Sequence, residues 1–300
     1  MEPIGRLVTA MITPFAADGA VDYERARQLA RALGATGTEA LVVCGTTGEA
    51  PTLRRDEKLQ LVAEVKDAVG PGVPIIAGTC SNNTAESIEL SREALCAGAD
   101  AILGTVPWYN KPPQDGLERH FRLIADAFSA PIMLYNVPSR TATNLEPATA
   151  VRLSEVPNIV GIKEASGNLD AIGTIIRDAR PGFNVWSGND SDTLNVLGIG
   201  GYGVVSVASH LVGERIAHLI RSFIDGDKDE AARVDTELKE LVAALFATTS
   251  PIPLKYAMRK IGFDCGGLRL PLVDIDAGSA ERMDRALEAL DIDLSSLAVA

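Results

Sequence analysis

The chain has 300 residues, 46% of them hydrophobic and 23% charged, which is enough apolar material for a large core and excludes a disordered chain. A formal charge of −12, from 28 Lys and Arg against 40 Asp and Glu, with no basic stripe, excludes nucleic acid as the expected partner. No stretch reaches the ~18 uninterrupted apolar residues of a membrane span, and "MEPIGRLVTAMITPF" lacks the parts of a secretory leader, so no membrane partner and a cytoplasmic location are expected.

In chain order, short runs rich in Val, Ile and Leu recur as "LVTAMI", "ALVVCG", "PIIAGT", "AILGTVP", "PIMLYNV", "IVGIKEA", "NVWSGN" and "GVVSVAS". Between them lie segments such as "RRDEKLQLVAEVKDAV" and "GLERHFRLIADAFS", whose apolar positions recur at three and four residues, the helical period. Asn83 or Thr84 is the expected N-cap of the helix that follows, and Gly34, Gly70 and Gly98 are expected just past helix ends. Strand and helix in alternation require parallel strands with crossover helices. Eight such units predict a (β/α)8 TIM barrel over residues 1–226, and no G-x-G-x-x-G loop follows the first strand to suggest a doubly wound sheet. From 227 to 300 the pattern is helical, which predicts a C-terminal α-helical appendage.

The four cysteines, Cys44, Cys80, Cys96 and Cys265, form no C-x-x-C pair and read as buried free thiols. His120, His210 and His218 have no zinc-ligand spacing, so no metal is expected.

The sixth strand run, "GIKEASGN" (161–168), places Lys163 on one face with Gly161 and Ala165, toward the C-terminal end of the strand where barrel active sites form. An ammonium there is either half of a structural ion pair or a Schiff-base nucleophile. Free lysine, with a pKa near ~10.4, is unprotonated in only about one molecule in a thousand at neutral pH, and desolvation raises that share. One strand earlier, Tyr135 shares the interior face with Met133 and Val137, and neighbouring strands lie about 4.8 Å apart, within reach of the amine. "CGTTGE" (44–49) ends the second strand with Thr46, Thr47 and Gly48, hydroxyls beside backbone N–H groups that suit a carboxylate and equally suit an ordinary turn.

Together with "TPF" (13–15), "WYNKPPQDG" (108–116), "YNVPSRT" (135–141), "SGND" (187–190), "GVVSV" (203–207) and "PIPLKYA" (251–257), these motifs resemble the dihydrodipicolinate synthase family. That family lies within the pyruvate-dependent class I aldolases, alongside the N-acetylneuraminate lyases. The resemblance spans essentially the whole chain. It implies a lyase that condenses pyruvate with L-aspartate-4-semialdehyde in lysine and diaminopimelate biosynthesis, without a cofactor. It further implies that Lys163 forms the imine, that Thr46 and Thr47 hold the pyruvate carboxylate, and that Thr47, Tyr135 and Tyr109 relay protons, Tyr109 across a dimer interface. The same resemblance implies that Gly188 and Val205 line the pocket through backbone groups and that the chain forms a homotetramer built as a dimer of dimers.

Arg140, in the Pro-Ser-Arg-Thr stretch, resembles the synthases and separates them from the neuraminate lyases; its planar fork suits the semialdehyde carboxylate. Trp108, Ala142 and His210 depart from residues common in the family. In lysine-inhibited members an interface site matches Asn82 and Glu86, with Arg55 and Lys58 at two further positions. These cations would oppose an ammonium-bearing effector. The alternatives are a related aldolase using another aldehyde or keto acid, and a barrel that binds without turnover. A phosphate-binding sugar aldolase is disfavoured, because "SGND" and "VASHLVGE" after strands seven and eight contain no Lys or Arg.

Overall fold

In the computed structural model residues 4–296 are described; the first three residues of the N-terminal stretch and the last four of the expected appendage lie outside the described residues. Each apolar run becomes a short strand: β1 (Leu7–Ala10), β2 (Ala40–Val43), β3 (Ile75–Gly78), β4 (Ala101–Thr105), β5 (Ile132–Asn136), β6 (Ile159–Glu164), β7 (Asn184–Ser187) and β8 (Gly203–Ser206). Every strand pairs in parallel with the next, and β8 pairs with β1, so the sheet closes into the expected barrel.

Alternation sorts the side chains into two cores. Val8, Ala10, Val42, Ile76, Leu103, Met133, Trp186 and Val205 fill the barrel, while Leu7, Leu41, Ile75, Ile102, Ile132 and Ile162 pack outward against the helices. Both faces of each strand are buried, which is why the strands read as continuous apolar runs in the sequence.

The crossover helices are α1 (Tyr23–Ala35), α2 (Arg55–Val69), α3 (Thr84–Cys96), α4 (Gln114–Asp126), a short α5 (Pro138–Thr141), α6 (Pro147–Ser154), α7 (Leu169–Asp178), α8 (Thr193–Gly198) and α9 (Ser209–Ile224). Asn83 caps α3 by accepting from the amides of Ala85 and Glu86. Gly70 ends α2 at φ +65, and Gly98 follows α3 at φ +108, as expected. Gly34 differs: α1 continues through Ala35. The left-handed turn falls instead at Gly37 (φ +85), where an added Cβ would meet Ala217 Cβ at 3.0 Å, so close packing against α9 decides where the chain reverses. Cys44, Cys80 and Cys265 are buried, whereas Cys96, on the last turn of α3, is exposed. It lies on the helix face away from the core, so its environment differs from the buried one expected.

Three helices follow the barrel: α10 (Lys228–Leu245), α11 (Ile252–Lys260) and α12 (Ala277–Glu288). This helical part reaches back to the barrel mouth through charge. Lys255 of α11, wholly buried, ion-pairs with buried Glu49 at 2.6 Å, just after the β2 turn. Arg269 donates its backbone N–H to Glu49 Oε2 at 2.9 Å and its guanidinium to both oxygens of Glu57. Phe15 lies between the two cations, with Lys255 Nζ 4.1 Å and the Arg269 guanidinium carbon 4.5 Å from its ring centre.

Candidate active site

The C-terminal ends of β2, β5, β6, β7 and β8 converge on one amine. Lys163 enters from β6 and is 6% exposed; its Nζ lies over the Tyr135 ring, 4.3 Å from the centroid. Tyr135 and Lys163 are directly paired in the β5–β6 register, so the contact follows from strand geometry and needs no loop to create it. Burial is the main force on the amine and draws its pKa down to about 8; Asp190 opposes this, and the Arg140 guanidinium adds to it. At pH 7 about one lysine in ten is then neutral, against about one in a thousand or fewer for free lysine.

Burial holds the Tyr135 phenol above its ordinary pKa, against the pull of the Arg140 guanidinium and the Thr46 side chain. Thr46 and Thr47 sit in a tight turn, closed by the amides of Gly48 and Ala50 donating to Gly45 O at 3.1 and 3.2 Å. Thr13, three residues beyond β1, braces that turn by donating to Gly48 O at 2.6 Å. An added Cβ on Gly48 would meet Met11 O at 3.1 Å, so "TPF" and "GTTGE" pack against each other at a glycine.

Gly188, beyond β7, is set against the lysine itself. A Cβ there would stand 3.2 Å from Lys163 Cε and 2.6 Å from Ala165 Cβ; no larger residue fits without displacing the amine-bearing stem. Val205 lies fully buried on the interior face of β8. Arg140 is exposed on α5, close enough to both Lys163 and Tyr135 to act on their charge. Among the described residues its guanidinium has no carboxylate partner.

Lys163, Tyr135, Thr46, Thr47, Arg140, Gly188 and Val205 therefore gather at one mouth. Tyr109 does not join them within the chain: it is 87% exposed, with left-handed backbone at φ +71. The four residues named for an interface site lie apart from the mouth. Asn82 donates to Trp108 O at 3.1 Å, Glu86 accepts from the Ser81 hydroxyl at 3.0 Å, and Arg55 forks onto Glu93 with two contacts of 2.7 Å. Lys58 stands one turn further along α2.

Asp190 is the participant that sequence reasoning passed over, although it closes the "SGND" motif. Its buried carboxylate accepts from the Ser206 hydroxyl and from the amides of Val207 at 2.9 Å and Ala208 at 3.3 Å. Burial raises its pKa against those bonds and against Lys163. A carboxylate two residues beyond the pocket glycine was the available signal. The departures also find roles. His210 is buried and held neutral, with Nε2 accepting from Ile12 N at 3.2 Å and Nδ1 2.9 Å from Val207 O, tying the start of α9 to the segments that follow β1 and β8. Ala142 caps α5 in the left-handed region at φ +55. Among the described residues no group of three or more His, Cys, Asp or Glu is arranged to hold a metal ion, and no helix is long and apolar enough to cross a membrane.

A closed parallel barrel with a desolvated lysine at its C-terminal mouth has the architecture of a barrel enzyme whose active site lies at that mouth. The sequence model of the dihydrodipicolinate synthetase family matches residues 3–290, and the chain belongs to that family. Among curated relatives, the 4-hydroxy-tetrahydrodipicolinate synthase of Dehalococcoides mccartyi is 52% identical, covering 98% of this chain and 99% of its own length. That of Symbiobacterium thermophilum is 52% identical over 96% of this chain and 98% of its own. Among solved structures, the family enzyme from Cyanidioschyzon merolae, with lysine bound, superposes with a TM-score of 0.94 at 44% identity, covering 98% of this chain and 99% of its own. One from Bacillus anthracis has a TM-score of 0.94 at 40% identity, over 97% and 99%.

Proposed function

We propose that the protein is a 4-hydroxy-tetrahydrodipicolinate synthase that joins pyruvate to L-aspartate-4-semialdehyde through an imine on Lys163. The observation that carries this reading is the desolvated Lys163 amine over the Tyr135 ring, beside a threonine turn with Arg140 across the mouth. The Thr46–Thr47 turn offers hydroxyls and amides to the pyruvate carboxylate. The neutral amine attacks the ketone carbon, and loss of water from the adduct gives the imine. Removal of a proton from the methyl carbon leaves an enamine, whose carbon attacks the aldehyde; the new C–C bond forms as the aldehyde oxygen takes up a proton. The amino group of the added chain then attacks the imine carbon, closing the ring and returning Lys163 to the free amine.

Thr47 and Tyr135 carry protons within the chain, and Tyr109 of the partner subunit completes the relay. The exposure and left-handed backbone of Tyr109 support this role, because the loop presents the phenol away from its own barrel. Gly188 and Val205 shape the pocket through backbone and small bulk. Arg140, without a carboxylate partner among the described residues, takes the carboxylate of the semialdehyde with its bidentate fork. Asn82, Glu86, Arg55 and Lys58 form the interface counterpart of the effector site in lysine-inhibited relatives. The functional unit is a homo-oligomer, a tetramer made as a dimer of dimers, working in the cytoplasm.

The test is turnover of purified protein with both substrates, coupled to dihydrodipicolinate reductase and followed by NADPH loss, with Lys163→Ala as control. Activity that vanishes in the variant is expected. No turnover with a competent coupling enzyme would withdraw the aldehyde assignment and leave an aldolase for another carbonyl compound.

A further inference from the structure

Tyr135 and Lys163 meet inside the barrel, and the next residues of the same strands, Asn136 and Glu164, are paired in the same register on the outside. Both are buried, at 1% and 2% exposure. Asn136 Nδ2 donates to the two Glu164 carboxylate oxygens at 3.1 and 3.2 Å and to Asn144 Oδ1 at 2.9 Å. Its Oδ1 accepts from Leu145 N at 3.0 Å, and Ser166 N donates to Glu164 Oε1 at 2.8 Å. The main chain adds Ala165 N to Asn136 O at 2.9 Å and Gly188 N to Glu164 O at 2.7 Å.

The cost of this arrangement argues against a purely stabilising role. A buried carboxylate without a cationic partner is expensive, and an apolar pair would pack the barrel exterior at lower cost. What the polar pair supplies is geometry. A one-residue slip between β5 and β6 would turn either Tyr135 or Lys163 out of the barrel, and it would also separate Asn136 from Glu164. The same amide group closes the excursion from Val137 to Thr143 that carries Arg140, because Asn144 and Leu145 are both bonded back to it. A cavity of about 230 Å³ borders Asn136, Asn144, Glu164 and Ser166, and the network is tied together along its wall by its own hydrogen bonds.

We propose that Asn136 and Glu164 are positioning residues of the reaction: one outward-facing network sets the Lys163–Tyr135 contact through the strands and the reach of Arg140 through the loop it closes. This rests on the reading of Lys163 as the imine-forming residue and Arg140 as the carboxylate receiver. Glu164→Gln replaces one acceptor oxygen with an NH2 that must face Asn136 Nδ2 or Ser166 N, donor against donor. Asn144→Ala, at an exposed position, releases only the loop end.

The experiment compares the parent with both variants at equal amounts of folded protein, judged by circular dichroism. It measures the rate of borohydride trapping of the pyruvate imine and the KM for each substrate. The parent is expected to trap pyruvate on Lys163, and Glu164→Gln to trap it about tenfold more slowly or worse, the scale at which small misplacements act. Asn144→Ala is expected to trap at the parental rate while its KM for L-aspartate-4-semialdehyde rises about fivefold. Parental trapping by folded Glu164→Gln overturns the proposal for the lysine, and a parental KM in Asn144→Ala overturns it for the arginine. Should Glu164→Gln fail to fold, Asn136→Ala, which removes the donor to Glu164, takes its place in the trapping measurement: slowed trapping is expected, and parental trapping overturns the proposal for the lysine. A parent that traps no imine would instead count against the function assigned above.

Discussion

The Lys163 amine rests on the face of the Tyr135 ring, 4.3 Å from its centre. On the proposed mechanism the ring face shelters the amine and the hydroxyl handles protons. Tyr135→Phe keeps the first and removes the second. It is expected to lower kcat about 10²- to 10³-fold while borohydride still traps pyruvate on Lys163; loss of trapping in step with kcat would contradict this division.

The lowered pKa of Lys163 has a signed consequence for both rate and stability. Imine formation needs the neutral amine, so its rate is expected to climb as pH passes about 8 and to level off above. Below about pH 8 the folded and unfolded lysines are both protonated, and the folded state carries the whole desolvation cost. Between about 8 and the ordinary 10.5 the unfolded chain holds more protons, so stability from this group rises with pH. Lys163→Met should accordingly stabilise the inactive protein at pH 7 by roughly 1–3 kcal/mol, read by chemical denaturation at fixed protein concentration. A less stable variant would contradict it.

Arg140 stands exposed on α5 with its fork free of internal carboxylates among the described residues. Arg140→Ala is expected to reduce kcat/KM for the semialdehyde about 10²-fold with little change in imine trapping. Arg140→Lys should recover little of the loss, since a point charge does not reproduce the bidentate pair. Steady-state kinetics in each substrate separate the outcomes.

Buried Glu49 and Lys255 join the appendage to the Thr46–Thr47 turn. Lys255→Met leaves the Glu49 carboxylate buried without its partner and should cost about 3–5 kcal/mol, seen as a lower denaturation midpoint. Adding Glu49→Gln should restore much of that stability, which a double-mutant cycle measures.

Among the residues proposed for an interface effector site, Arg55 is held by Glu93, and Lys58 stands nearby on α2. An ammonium-bearing effector would meet like charge there. We expect L-lysine to leave turnover almost unchanged in a titration at saturating pyruvate; half-maximal inhibition at low concentration would refute this.

The barrel was legible because each strand is buried on both faces and each helix on one, so the apolar runs and the helical periods alternate openly along the chain. Lys163 and Tyr135 were legible for a related reason: an ammonium and a phenol on an interior face break the apolar rule, and adjacent strands must bring them together. By itself, then, the sequence determined the fold class, the number of strands and the residues that could carry imine chemistry. Tertiary structure alone decided the rest. Asp190 approaches Lys163 because β7 and β8 are neighbours and Ser206, Val207 and Ala208 hold its carboxylate. Glu49 finds Lys255, and Asn136 finds Asn144 and Glu164, across chain separations that no local pattern records. Whether a buried charge is burdened, paired or poised depends on which groups surround it in space, and a linear pattern reports only the residues beside it in the chain.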